Sequence, residues 1–377
     1  MLVHRLAIAL RSVPFVLALL MTLGIGPTAA IAAQPAHSEP VSGEAFWKQW
    51  YSPAAVTWSG IPLRAALDSI ARQWNVAVFL DRRVDPDQLI DFSSSEQPLG
   101  QMVHRMAEQL HLSVSPVDAV LYFAPPGVAP RVATMAEIQF DQAQRQGWSS
   151  LVSRRRLEWP WLAEPRQLIQ QVASGASWQV DSPHQIEHDL WAGNRLPPIP
   201  VTHQLALLLA GFELTFDLDG ATRTLKLVPL PEAPVLVREY PATRLSLARK
   251  QELASHFPDV RFEWLANRLR ATGVAEDHYL LRRELLGLTP EARPTAGQLR
   301  YTLRTANRFE PLARAIAQRL GLAVQIDPSV SEIRNRLITI DVQNVTREQL
   351  LQALVDTVGW QYEITGNQLK LFPKKDR

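Results

Sequence analysis

The fold of this chain is decided by the stretch WSGIPLRAAL at residues 58–67 and the run AVFLD at residues 77–81. From Leu63 onward, apolar residues recur at intervals of three and four, which predicts an amphipathic helix. The short apolar run that follows predicts a buried strand. A second helical pattern begins at Leu99, and two further short strands close the unit. We therefore predict a small α+β module at residues 56–125.

The same order of elements recurs in two further stretches, at residues 157–231 and 299–373. In the last copy, Thr346 and Gln349 occupy the positions of a capping box at the start of the second helix. The middle copy is more diverged, but an Asp-Gly pair at residues 219–220 supplies the tight turn of its closing hairpin. The chain is thus predicted to hold tandem βαβ-type modules, each a small mixed sheet backed by two helices.

Other parts of the chain differ from this repeat. Residues 235–287 predict a strand, a helix, two strands and a second helix. Stretches rich in proline and small residues predict linkers at residues 126–156, partly helical, and at residues 288–298. Residues 34–55 are interpreted as a flexible lead-in that docks its aromatic side chains on the first module. The compact basic run at residues 154–156 is expected in a solvated part of the first linker.

Residues 1–33 have the pattern of a secretory signal peptide. Arg5 and Arg11 precede an apolar run at residues 13–25, and small residues at 30–32 offer a cleavage site. The apolar run is shorter than the ~20 residues that span a bilayer, so a retained N-terminal membrane anchor is the alternative. No later segment is apolar enough to span a membrane. We therefore expect export to the periplasm.

Composition excludes several classes of function. The formal net charge of the chain is +2, and residues 1–33 contain two arginines and no acidic residue, so their removal leaves a neutral protein. A neutral surface argues against nucleic acid as the partner, because phosphate contacts need clustered lysine and arginine. The chain has no cysteine, which excludes thiol nucleophiles, thiolate zinc sites and iron–sulfur clusters.

One motif points to metal chemistry. The run from His184 to His188 matches the H-x-x-E-H pattern of a class of zinc peptidases. On a helix the two histidines would share one face and bind zinc, while Glu187 would polarise the attacking water. The alternative is a loop, because the run follows a predicted strand and only an unidentified carboxylate such as Glu213 or Glu232 could complete the site. We favour the loop and predict no catalytic residue, metal or cofactor.

The eleven tryptophans admit two interpretations. Most occupy strand positions at which the repeat needs a core residue. Trp159 and Trp161, separated by Pro160, would lie on one face of the strand that begins the middle module. That face is either core or contact surface, so both tryptophans are candidates for binding a partner. Exposed tryptophans would also suit a cell-wall glycan.

Several short motifs resemble a known family. Residues 60–67, followed by Val-Phe-Leu-Asp at residues 78–81, resemble the short N-terminal domain that secretins and TonB-dependent transducers share. The last copy carries the same pattern at residues 324–328 and 342–346. The unit between the second and third copies is similar to the second type of secretin N-terminal domain through its run NRLRATG at residues 267–273.

This resemblance implies a binding function without catalysis. In that family such domains stack into rings or dock onto a regulatory partner. A secretin continues into a membrane β-domain, whereas this sequence ends at Arg377, shortly after the third copy. We therefore expect a non-enzymatic scaffold, an accessory of a secretion or envelope transport or signalling system. Its expected partners are envelope or secretion-system proteins, or further copies of itself. A zinc peptidase and a glycan-binding protein are the alternatives.

Overall fold

The computed structural model describes residues 39–242, 245–288, 301–327 and 331–374. A short helix, α1 (Glu44–Trp50), precedes module 1, the first of the three predicted copies. Module 1 runs strand, helix, two strands, helix and two strands. Its elements are β1 (Pro53–Pro62), α2 (Leu63–Trp74), β2 (Ala77–Leu80), β3 (Leu89–Pro98), α3 (Leu99–Gln109), β4 (Ser113–Val117) and β5 (Val120–Ala124).

Module 2 repeats this order after two connecting helices, α4 (Val128–Arg145) and α5 (Ser149–Val152). Its elements are β6 (Arg154–Trp159), α6 (Pro165–Gly175), β7 (Gln179–Asp181), β8 (Asn194–Pro200), α7 (Val201–Ala210), β9 (Leu214–Asp219) and β10 (Thr224–Pro229). The intervening unit, which differs from the copies, consists of β11 (Leu236–Pro241), α8 (Leu247–His256), β12 (Arg261–Trp264), β13 (Arg268–Gly273) and α9 (Ala275–Leu285).

Module 3 has the same order again, with one short extra helix. Its elements are β14 (Tyr301–Arg308), α10 (Phe309–Arg319), β15 (Ala323–Ile326), α11 (Ser331–Arg334), β16 (Leu337–Val345), α12 (Arg347–Asp356), β17 (Trp360–Thr365) and β18 (Gln368–Pro373). The predicted capping box begins α12: the Thr346 hydroxyl accepts from the Gln349 amide at 3.3 Å, and Oε1 of Gln349 accepts from the Thr346 amide at 2.8 Å.

The α+β class predicted from the sequence is confirmed, and each copy divides its strands between two sheets. The first and third strands of each copy form an antiparallel pair. The remaining three strands form a mixed sheet, in which the last strand is central, parallel to the second strand of the copy and antiparallel to its hairpin partner. The two helices pack against both sheets in module 1. The intervening unit has one antiparallel sheet in the order β11-β13-β12.

Modules 1 and 3 share a sheet. The first strands of the two modules, β1 and β14, pair in parallel, which joins their strand pairs in the order β16-β14-β1-β3. Thr57 is in register with Leu303, whereas the neighbouring Val56 is buried in the core of module 1. Paired residues share a face of a sheet and consecutive residues alternate, so the cores that contain Val56 and Leu303 lie on opposite faces.

Helix α4 is a core element, although the sequence places it in a linker at residues 126–156. It packs against module 1, α7 of module 2 and α9 of the intervening unit, with Val132, Ala133 and Ala136 buried. The basic run at residues 154–156 is also placed differently from the prediction. It lies in strand β6, where Arg154 and Arg155 pair with β8 and Arg156 lies at a shift in the register.

The lead-in predicted at residues 34–55 contains α1 and the start of β1. Phe46 and Trp50 of α1 are buried in the same core as module 1. Trp50 packs on Gly100 of α3, where a Cβ atom would lie 2.4 Å from the indole ring. Aromatic side chains of this segment are therefore docked on the first module.

Two predicted segments fall wholly or mostly outside the described residues. These are the signal peptide at residues 1–33 and the linker at residues 288–298, of which only residue 288 is described. Within the described part of the chain, no helix has the length and apolar character needed to span a membrane.

Candidate protein-interaction site

The two tryptophans proposed as a contact surface have different surroundings. Trp159, the last residue of β6, is 4% exposed and belongs to the core, where its Nε1 donates to the Ala192 carbonyl at 2.9 Å. Trp159 therefore matches the core alternative, and its burial leaves no surface to offer a partner. Trp161 is 74% exposed. The chain leaves the strand at Pro160, which cannot donate a backbone hydrogen bond, so Trp161 is not held on the sheet.

Trp161 belongs to a cluster of exposed apolar side chains that we call the apolar tip, defined by Trp161, Leu162 and Leu190. Leu162 is 68% exposed and Leu190 is 53% exposed. The tip lies on two chain segments that flank the β6–β8 pair, and these segments are joined where the Trp191 amide donates to the Ala163 carbonyl at 2.9 Å. The segment of module 1 that is equivalent to residues 160–162 remains in β1, so module 1 lacks this turn.

The backbone of the tip is strained. Leu162 has a φ of 62°, in the left-handed region that costs a non-glycine residue roughly 1–2 kcal/mol. At the base of the tip, Gly193 approaches the backbone closely: a Cβ there would lie 3.2 Å from both the Trp159 carbonyl oxygen and the Trp161 nitrogen. Strain of this kind persists only where the surrounding structure enforces it. The close approach at Gly193 is therefore one of the contacts that set the backbone of the tip.

A residue of module 1 helps to hold the tip. Arg82 donates from Nε to Asp189 at 2.7 Å, and its guanidinium lies 4.8 Å from the centre of the Phe212 ring. Phe212 stacks on Trp191, which donates from Nε1 to Asp189 at 2.9 Å. Burial raises the pKa of Asp189, but hydrogen bonds from Arg82 and Trp191 outweigh it and leave the pKa below its ordinary value. Asp189 is therefore an ionised anchor of the tip.

The zinc-peptidase motif lies beside this tip without forming the predicted helix. Residues 183–185 form a single 3₁₀ turn and Ile186 is extended, so the structure does not place His184 and His188 on one helical face. Glu187 lies 3.5 Å from Nη1 of Arg82. Among the described residues, no group of three histidine, aspartate or glutamate side chains is arranged to hold a metal ion. This segment is a loop with one 3₁₀ turn, as in the alternative to the zinc site.

Asp81, the last residue of the AVFLD run, holds an arginine that reaches into module 2. Asp81 is buried at the end of β2 and accepts from Nε and Nη2 of Arg83, at 2.9 and 2.8 Å, and from the Tyr122 hydroxyl. Arg83 continues into module 2, where it donates to the Glu213 carboxylate at 2.8 Å and to the Ala210 carbonyl at 3.2 Å. Burial raises the pKa of Asp81, but the bonds from Arg83 and Tyr122 keep it below its ordinary value.

A second junction lies on α4, and the sequence did not reveal it. The buried carboxylate of Glu137 contacts Nε2 of His203 in module 2 at 2.8 Å, and it accepts from Arg238 and Tyr279 of the intervening unit. Burial opposes ionisation, yet these partners hold the pKa of Glu137 well below its ordinary value. Arg238 also donates to Asp141 at 2.7 and 2.9 Å. The sequence offered one sign of this junction: Glu137 is a charged residue that follows the apolar residues Val132, Ala133 and Ala136 along α4.

These junctions unite module 1, module 2 and the intervening unit into one frame that carries the apolar tip. The carboxylates within it whose pKa is lowered by their partners include Asp81 and Glu137, which are occupied by arginine, tyrosine and histidine side chains from neighbouring elements. Such saturated networks fix geometry. Comparison with known proteins gives no match, whether with family models, with curated proteins or with solved structures.

Proposed function

We propose that this protein is an exported, non-enzymatic scaffold of the cell envelope that binds a protein partner through the apolar tip of module 2. The observation that carries the proposal is the exposure of Trp161 and Leu162 in a strained conformation. A fold gains no stability from such an arrangement. Contiguous exposed apolar side chains mark sites of association, and tryptophan is enriched among residues that dominate binding energy.

The rigidity of the frame supports the same proposal. A surface that is already ordered loses little conformational entropy when it binds, so more of the contact energy appears as affinity. Arg82 anchors Asp189, and Trp191 stacks on Phe212 behind the exposed residues. The partner we propose is an envelope or secretion-system protein, in keeping with the resemblance of the modules to secretin N-terminal domains. The periplasm is the compartment that we propose for this interaction.

The test is affinity capture from envelope fractions of the native cell, with tagged wild type and two variants. Trp161→Ala removes the largest exposed side chain of the tip. Leu247→Ala is the matched control, because Leu247 is 71% exposed but lies on α8 of the intervening unit. We expect at least one protein that wild type and Leu247→Ala retain and Trp161→Ala loses. Identical sets of captured proteins from all three chains would contradict the proposal.

The same variants distinguish a glycan from a protein. If the tip bound cell-wall glycan, purified cell wall free of protein would sediment the wild type and not Trp161→Ala. We expect the cell wall to sediment neither chain, because the residues around Trp161 are leucines that offer few hydrogen-bonding groups to a sugar. Sedimentation that depends on Trp161 would favour the glycan-binding alternative.

A further inference from the structure

Strand β6 repeats the geometry of β1 residue by residue. In β1, a β-bulge separates the pairs Ala54–Gln97 and Val56–Ser94, and in β6 a bulge separates the pairs Arg155–Ile199 and Leu157–Leu196. Module 3 has the equivalent bulge between the pairs Tyr301–Val345 and Leu303–Val342. Counted from these bulges, Leu157, Glu158 and Trp159 correspond to Val56, Thr57 and Trp58.

The corresponding residues of β1 have a partner strand on their other side. Val56, Thr57 and Trp58 are in parallel register with residues 302–304 of β14. The β6–β8 pair has only two strands, and within the described ranges no strand lies beside the outer edge of β6. The described part of the chain therefore has three strand pairs of one type, of which two complete each other and the third, in module 2, is open.

We propose that the open edge of β6 pairs in parallel with β6 of a second copy of this chain, so that β8-β6-β6-β8 reproduces the sheet of modules 1 and 3. The known pairing sets the register. Val56 is opposite Thr302, one residue before its own counterpart Leu303. In the same arrangement, Leu157 is opposite Arg156 of the second copy, and Glu158 is opposite its Leu157.

The charges of β6 permit this pairing. Arg154 donates to both carboxylate oxygens of Asp118, at 3.0 and 2.5 Å, and Glu158 accepts from Arg195 at 2.8 and 3.1 Å. Arg156 pairs with the Glu39 carboxylate. The ladder between β1 and β14 covers three residues. Over the equivalent residues, 157–159, the proposed register places no arginine opposite another, and like charges meet only beyond it, where Arg156 comes opposite Arg155 of the second copy.

Two further properties of the β6 edge favour a second copy as the partner: its exposure, and its use by both copies at once. Residues 154–156 and Glu158 are exposed, so the edge is accessible along most of its length. An edge strand presents unpaired backbone groups to another strand, and most of the charged side chains that would discourage pairing on β6 are held in ion pairs within the chain. Because both copies would use the same edge, the association stops at two chains and forms no fibre. The edge does not include the apolar tip, so this inference stands or falls independently of the proposed function.

The absence of cysteine makes a direct test possible. We would measure the mass of the full exported chain by light scattering, and treat an equimolar mixture of Arg155→Cys and Arg156→Cys chains with a short bismaleimide. The proposed register places position 156 opposite position 155 of the second copy, on one face of the sheet. Glu363→Cys is the control, because Glu363 is exposed on β17, another edge strand. We expect twice the mass of one chain, and crosslinked dimer from the mixture but not from the control.

A charge reversal provides the second measurement. Glu158→Lys leaves the core untouched but adds positive charge to an edge that already carries three arginines. We expect it to weaken dimerisation at least about tenfold, whereas Glu363→Lys leaves the dimer unchanged. A wild-type chain that stays monomeric at about 100 µM would overturn the proposal. A dimer that the mixture of Arg155→Cys and Arg156→Cys chains fails to crosslink, or that Glu158→Lys does not weaken, would overturn it as well.

Discussion

Nε2 of His203 lies 2.8 Å from Oε1 of Glu137, and both side chains are buried between α7 and α4. The other oxygen of the same carboxylate accepts from Arg238 of the intervening unit. A single carboxylate thus joins the connecting helix, module 2 and the intervening unit. Its loss would remove a charged acceptor that His203, Arg238 and Tyr279 share in a buried site, whereas Arg238 would keep its bonds to Asp141.

Glu137→Gln should therefore destabilise the protein. The amide keeps the shape of the side chain but removes one of the two charges that Arg238 faces. We expect the free energy of unfolding to fall by about 2 kcal/mol, measured by denaturant titration. Glu232→Gln is the matched control, because Glu232 is exposed, and it should change nothing. Equal stability of Glu137→Gln and the wild type would show that this junction does not hold the units together.

Asp277→Asn should stabilise the protein at neutral pH. Burial, followed by the charges of Glu276 and Asp259, raises the pKa of Asp277 to about 6. An acid whose folded pKa is raised contributes stability at low pH, and this contribution is lost as the pH rises from its unfolded value of about 3.9 through 6. The asparagine avoids that loss, so above pH 6 we expect a gain of roughly 1 kcal/mol, reduced by the partial exposure of the group.

Thermal unfolding at several pH values measures the effect of Asp277→Asn. The difference between variant and wild type should shrink toward pH 4 and be largest above pH 6. Asp217→Asn, at an exposed position of β9, should show no difference at any pH. A constant difference across this range would mean that ionisation of Asp277 is not its cause.

Leu162→Gly should separate stability from binding. Glycine adopts the φ of 62° found at this position without steric cost, so we expect the free energy of unfolding to be unchanged or raised by up to about 1 kcal/mol. The variant should nevertheless lose partner capture, because it removes an apolar side chain from the tip. Calorimetry and affinity capture measure the two effects. A large loss of stability would mean that Leu162 is a packing residue.

The purified protein should carry no stoichiometric zinc. The motif from His184 to His188 does not form a helix, and Glu187 lies near Arg82. Elemental analysis of the wild type and of His184→Ala should give the same background value. One zinc per chain in the wild type, lost in His184→Ala, would restore the peptidase alternative.

Local patterns sufficed for much of the fold. The helical spacing from Leu63, the capping box at Thr346 and the Asp-Gly turn at residues 219–220 each depend on a few neighbouring residues, and these elements are present in the structure. Strand β3 was missed in the sequence. Its inward-facing positions alternate Ile90, Phe92 and Ser94, and the serine interrupts the apolar alternation that identifies a strand.

The remaining features depend on contacts between distant parts of the chain. Pairing of β1 with β14 joins segments about 250 residues apart, and no local pattern specifies such a partner. Helix α4 resembled a linker because its buried face consists of alanines and polar residues such as Glu137 and Gln139, whose partners lie on other modules. The sequence predicted only part of the tip. Trp161 was a candidate contact residue, but the spacing of residues does not show the turn at Pro160 that separates it from Trp159.

The central claim, that the apolar tip binds a protein, is tested most directly by photo-crosslinking in the living cell. A photoreactive phenylalanine analogue at position 161 reports what touches the tip, and the same analogue at position 247 serves as the control. We expect position 161 to give a discrete crosslinked product that contains another envelope protein, and position 247 to give none. No product at position 161, or the same products at both positions, would contradict the claim.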